Sequence, residues 1–153
     1  MNIADYLKPS AVVINDEIGS KKRTLEEISR LLTQNAEYVA EKDVFTSLIN
    51  REKLGSTGLG GGVAIPHGRL RGVEHSVGAF IRLAKPIDYD AADGAPVDLV
   101  FGLLVPQDAT SQHLEILAGI ARMFQDEAQL ARLREAEDDA SLYQLLTQYR
   151  PGT

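Results

Sequence analysis

The chain has 153 residues, 44% of them apolar and 25% charged, with a net charge of −6 and no cysteine. A chain of this length can bury roughly 70% of its unfolded surface, and the composition is that of a soluble globular protein. The missing thiols exclude disulfides, cysteine nucleophiles and Cys-ligated zinc. The basic residues are scattered apart from Lys21-Lys22-Arg23, which argues against nucleic-acid binding or a polybasic membrane patch.

The amino-terminal "MNIADYLKPS" has neither the basic start nor the apolar core of a signal peptide, and no run of about 18 apolar residues follows. The expectation is one cytoplasmic domain over residues 1–153, with no membrane insertion. Residues 24–34, "TLEEISRLLTQ", place Leu25, Ile28, Leu31 and Leu32 at helical spacing. Thr24 and Glu27 form a capping box at its start. "EKDVFTSLINRE" repeats the helical pattern with Val44, Phe45, Leu48 and Ile49.

The next stretch, "REKLGSTGLGGGVAIPHGRL", holds six glycines in twenty residues. It is not a P-loop, because no lysine follows Gly60, Gly61 or Gly62. Nor is it a dinucleotide fingerprint: counting from Gly58 the last position is Val63, and from Gly60 it is Ile65. No nucleotide cofactor is therefore expected. A flexible turn needs only two or three glycines, so six suggest that another backbone or molecule approaches closely. "VAIP" (63–66) reads as a short extended piece ending near the proline.

Further on, "HSVGAFIRL" (75–83) and "VDLVFGLLVP" (97–106) read as strands, the second apolar enough to be buried on both faces. "PIDYDAADGAP" between them is a loop of turn residues. "TSQHLEILAGIARMF", "EAQLARLREA" and "SLYQLLTQY" read as two or three helices. The interleaving implies an α/β fold, one sheet flanked by helices.

Three histidines remain as candidates for chemistry. His67 follows a strand end, where α/β folds expose reactive side chains on a rigid base. Arg51 closes the second helix, and Ser56 and Thr57 bring hydroxyls. Together with glycine N–H groups these are anion partners. His67 is thus either a functional imidazole or a satisfied interior one. Asp108, Thr110 or Ser111 can cap a helix that puts His113 in its first turn, aligned with Leu117, Ile120 and Phe124 on the inward face. A neutral histidine there can hydrogen-bond a phosphate, or simply fill space. His75 begins a strand with no motif around it and is read as structural. Without a His-x-His or His-x-x-x-His pair, no metal site is expected.

The stretch "GLGGGVAIPHG" resembles the signature of the enzyme IIA proteins of the mannitol/fructose type in the phosphoenolpyruvate-dependent phosphotransferase system. "SKKRTLEEISRLL" and "INREKLGSTGLGGG" are similar to the nitrogen regulatory branch in particular, and "DYDAADGAPVDLVFGLLVP" and "HLEILAGIARMF" extend the resemblance over nearly the whole chain. It implies a mixed sheet with helices on both sides and a bacterial phosphoryl carrier. His67 would match the phosphorylated histidine, His113 its neighbour, and Arg51 the residue that steadies the phosphate. The implied donor is a histidine-containing phosphocarrier protein, charged from phosphoenolpyruvate by enzyme I. Nitrogen-type members are expected to regulate targets such as potassium-transport or sensor-kinase components. A sugar-specific enzyme IIA passing phosphate to a separate enzyme IIB is the alternative within the family. A binding module that never carries phosphate is the alternative outside it. In the carrier reading the glycine loop is thin so that a protein donor can reach His67.

Overall fold

A computed structural model describes residues 2–150, with Thr110 and Gln112 described by backbone alone. In chain order the elements are β1 (Val12–Asn15), α1 (Lys21–Gln34), α2 (Glu41–Lys53), β2 (Gly58–Gly60), β3 (Val63–Ala64), β4 (His67–Leu70), β5 (Val77–Ile87), β6 (Val97–Pro106), α3 (Thr110–Met123), α4 (Glu127–Glu135) and α5 (Asp139–Thr147). The six strands form one mixed sheet in the order β1-β5-β6-β3-β2, with β4 also paired to β6. β1 runs parallel to β5, β5 antiparallel to β6, and β3 and β4 parallel to β6.

β6 is the spine of the sheet. Its residues Leu99 to Val105 are all buried, as its unbroken apolar run required. Strand alternation sends neighbouring residues to opposite faces. Gly102 leaves room for Ile28 of α1 on one face. On the other, Phe101 packs edge-on against Phe80 at 6.2 Å, and Phe80 meets Phe124 just past α3 at 6.5 Å. Helices therefore cover both sides.

α1 begins earlier than its apolar spacing indicates. Ser20, in extended conformation, accepts from the Arg23 amide and is the N-cap. Thr24 lies inside the first turn, its hydroxyl donating back to the Ser20 carbonyl. The three C-terminal helices are separate because Asp126 and Asp138 each cap a new start. β1, β2 and β4 carry no alternation visible in the sequence, being three- to four-residue pieces made by pairing. His75 lies exposed, two residues before β5, rather than opening that strand.

The glycine run is a hairpin turn. Gly60, Gly61 and Gly62 have φ of +92°, +68° and +85°, a left-handed conformation that side chains disfavour. The turn is tied by the Gly61 amide to Asp93 and by Arg134 to the Gly61 carbonyl and Asp98. Val63 pairs with Leu99 and His67 with Leu103, so the turn ends some 13 Å from the histidine at about 3.3 Å per residue. These three turn positions are glycine for their backbone conformation.

β3 and β4 are two lengths of one strand interrupted by Ile65-Pro66. Pro66 has no N–H, but its carbonyl accepts from Leu103, and pairing resumes at His67. Gly68 then lies against Ser47 of α2, where a Cβ would overlap the serine Oγ. Gly68→Ala is expected to destabilise the fold by about 1–3 kcal/mol, the usual cost of overpacking, seen as a lower denaturation midpoint at unchanged slope.

Candidate functional site

The kink at Pro66 and the start of β4 aim His67 at the face covered by α3. Pairing puts it on the same side as Leu103 and Phe101. The N-cap of α3 is Ala109, which offers no side-chain cap, in place of Asp108, Thr110 or Ser111. The His113 amide makes the first helical bond, to the Ala109 carbonyl at 3.0 Å, so the ring belongs to the first turn as expected. The two imidazoles meet there, with centroids 5.3 Å apart and planes tilted by 51°.

Their hydrogen bonding differs. His67 is half-buried, and its Nδ1 lies 2.8 Å from the Ile65 carbonyl oxygen. A carbonyl can only accept, so Nδ1 carries the proton and Nε2 keeps its lone pair. His113 is 6% exposed, and its buried Nδ1 has no hydrogen-bond partner among the described residues. Burial without a counter-charge disfavours imidazolium. Burial pushes the His113 pKa down to about 4, helped by His67 and Arg69. His67 is lowered as well, first by burial and then by Arg51 and Arg69, against the opposing pull of the Ile65 carbonyl and Glu52. Both rings are neutral at pH 7.

Two arginines, Arg51 and Arg69, bear electrostatically on His67. Arg51 stands in the last turn of α2, half-buried, its guanidinium donating to the Gly55 carbonyl at 2.8 Å. It lies one helical turn beyond Ser47, which touches Gly68 and donates to the Arg69 carbonyl. Residues four apart share a helix face, so Arg51 is on the side of α2 that meets β4. Arg69 was missed in the sequence, although two residues beyond His67 on a strand is the same face. The alternation signal was there, but β4 itself was not recognised.

Ser56 and Thr57 do not point at the histidines' side of the loop as free donors. The Ser56 hydroxyl donates to the Tyr89 carbonyl and accepts from the Gly58 amide. Thr57 is buried, its amide and hydroxyl both bound to the Glu52 carboxylate. Among the described residues no three His, Asp or Glu side chains group to hold a metal, and no helix is long and apolar enough to cross a membrane.

Two neutral imidazoles flanked by guanidinium groups can accept and stabilise a dianion while needing no proton at the attacking nitrogen. Comparisons with known proteins place the chain in a family. The family profile described as "Phosphoenolpyruvate-dependent sugar phosphotransferase system, EIIA 2" matches residues 5–149. A nitrogen regulatory protein of Pseudomonas aeruginosa is 43% identical over 152 residues, covering 99% of both chains. One from Escherichia coli K12 is 46% identical over 129 residues, 84% of this chain and 78% of that protein. The crystal structure of nitrogen regulatory protein IIA-Ntr from Neisseria meningitidis superposes with a TM-score of 0.89 at 46% identity, covering 95% of this chain and 99% of that one. The mannitol IIA of Escherichia coli shares the fold, with a TM-score of 0.74 at 20% identity over 90% of this chain and 96% of that one. The chain belongs to the EIIA type-2 family of the phosphoenolpyruvate-dependent phosphotransferase system.

Proposed function

We propose that this protein accepts a phosphoryl group on Nε2 of His67 from the phosphohistidine of a small phosphocarrier protein in the cytoplasm. Its phosphorylation state then controls protein targets, with potassium-transport or sensor-kinase components as the expected class. The observation that carries the reading is the bond from His67 Nδ1 to the Ile65 carbonyl, which leaves Nε2 as the nucleophile in a ring neutral at pH 7. In the transfer, the Nε2 lone pair forms the new N–P bond as the donor's N–P bond breaks, and the donor imidazole leaves with that electron pair. The passing group is loose and metaphosphate-like, so positioning and charge stabilisation dominate. Arg51, Arg69 and His113 supply these. The hydroxyls of Ser56 and Thr57, first expected at the phosphate, are read instead as ties that hold the loop.

The regulatory branch is favoured over a sugar-specific role by the identities. Nitrogen regulatory proteins stand at 43–46%. The fructose-specific EIIABC component of Bacillus subtilis stands at 29%, this chain matching 24% of its length. Incubation with enzyme I, the phosphocarrier and phosphoenolpyruvate tests the carrier reading by intact mass, with a gain of about 80 Da expected for one phosphoryl group. The adduct is expected to be acid-labile, with ¹⁵N–³¹P coupling at Nε2. An unmodified mass would leave the binding-module reading in its place.

Arg51→Ala is expected to slow transfer by about one to two orders of magnitude. The loss corresponds to a charge-assisted contact of roughly 1.5–3 kcal/mol, with little effect on stability because the guanidinium is only half-buried. Quench-flow rates equal to wild type would remove Arg51 from the site.

A further inference from the structure

A buried polar cluster lies directly behind Arg51. The Glu52 side chain is 5% exposed and Thr57 is 4% exposed. The Thr57 amide donates to both carboxylate oxygens at 3.0 and 3.1 Å, and its hydroxyl donates to Oε1 at 2.6 Å. Because that hydroxyl proton is committed to the carboxylate, the Tyr89 phenol 3.2 Å away donates to Thr57 Oγ1. Tyr89 is itself fully buried, and burial raises its pKa, so the phenol keeps its proton. Lys21 completes the cluster, 3.8 Å from Glu52 and 4.6 Å above the Tyr89 ring. A buried carboxylate is costly without such partners.

The cluster closes the turn that runs from Glu52 to Thr57. The Gly55 amide bonds to the Glu52 carbonyl and the Leu54 amide to that of Arg51, while the Glu52 side chain clamps Thr57 at the far end. Ser56, between them, is tied to the Tyr89 carbonyl. The Gly55 carbonyl that receives the Arg51 guanidinium therefore sits in a turn held at both ends. A freely hinged carbonyl would leave a long arginine side chain to wander among rotamers.

We propose that Glu52, Thr57 and Tyr89 are positioning residues that fix the seat of the Arg51 guanidinium beside His67. The consequence for phosphate transfer rests on the carrier reading above; the seating of Arg51 does not. Reacting groups misplaced by about 1 Å lose large factors in rate, so a loose seat for Arg51 lowers transfer without touching the histidines.

The test is a double-variant cycle of Thr57→Val and Arg51→Ala in phosphate transfer from the phosphocarrier. It is joined by NMR of the Arg51 Nε–H group in the unphosphorylated protein. Thr57→Val is expected to lower kcat about tenfold at unchanged donor KM, to add nothing in the Arg51→Ala background, and to be restored by Thr57→Ser. The Arg51 Nε–H signal should broaden in Thr57→Val and sharpen again in Thr57→Ser. Tyr89→Phe, which removes only the hydroxyl behind Thr57, should give the same pattern at smaller size and serves if Thr57→Val does not fold. Additive rate effects, or an Arg51 signal indifferent to these variants, overturn the proposal. A wild-type protein that takes no phosphate defeats the carrier reading instead, and the Arg51 signal alone then decides the seating.

Discussion

His67→Ala is expected to abolish phosphate uptake while the protein still folds. In the carrier reading the nucleophile is lost outright, and the buried ring of His113 offers no accessible replacement. The fold survives because the position is held by backbone pairing with Leu103 and by Gly68 against α2. What disappears is one side-chain hydrogen bond, to the Ile65 carbonyl, a matter of about 1 kcal/mol. Intact mass after incubation with the charged phosphocarrier reads the first part, and a denaturation curve the second. A variant that still gains about 80 Da of phosphoryl mass would move the phosphate to another residue and sink the assignment.

His113 carries the second large effect. In the carrier reading His113 is a hydrogen-bond donor to the transferring group, and removing one preorganised donor costs on the order of 10²–10³ in rate, so His113→Ala is expected to fall in that range. The ring also links phosphate to proton. Its pKa of about 4 comes first from burial, and a phosphate of nearly two negative charges on His67, 5.3 Å away between ring centres, should raise it. At a pH between the two values the phosphorylated form then carries a proton on His113 that the free form lacks. NMR titration of both forms measures this, and identical His113 curves would exclude the rings from a shared site. The sign for stability follows from linkage. The native ring stays neutral down to about pH 4, whereas the unfolded one takes a proton near its ordinary value of 6.5. Stability is therefore lost as pH falls from about 6.5 toward 4, by at most roughly 3 kcal/mol at 1.36 kcal/mol per pH unit. His113→Gln, with nothing to titrate, should show a flatter decline across that window.

Much was legible in the chain itself wherever a pattern is local. The apolar run of β6, the periodicity of α2 and the first-turn place of His113 each depend on residues a few positions apart, and each appears in the structure where the spacing put it. The motif ending in Pro66-His67-Gly68 likewise pointed to the family that the comparisons show. Partnership across space was not legible. β1, β2 and β4 exist because β5, β3 and β6 respectively pair with them, and three- to four-residue pieces carry too little alternation to announce that. For the same reason Arg69 went unseen beside His67. Close approach of another segment accounts for Gly58, against Ala91, and for Gly68, against Ser47, but not for the whole run. Three of its glycines turn a hairpin with positive φ, and Gly68 admits a helix. Composition reveals that glycine is needed, not whether a turn, a helix or a partner needs it. Ser56 and Thr57 show the same limit most sharply. A hydroxyl has identical chemistry facing a phosphate or a buried carboxylate, and only the tertiary fold, by placing Glu52 and Tyr89 behind the loop, decided which one Thr57 meets.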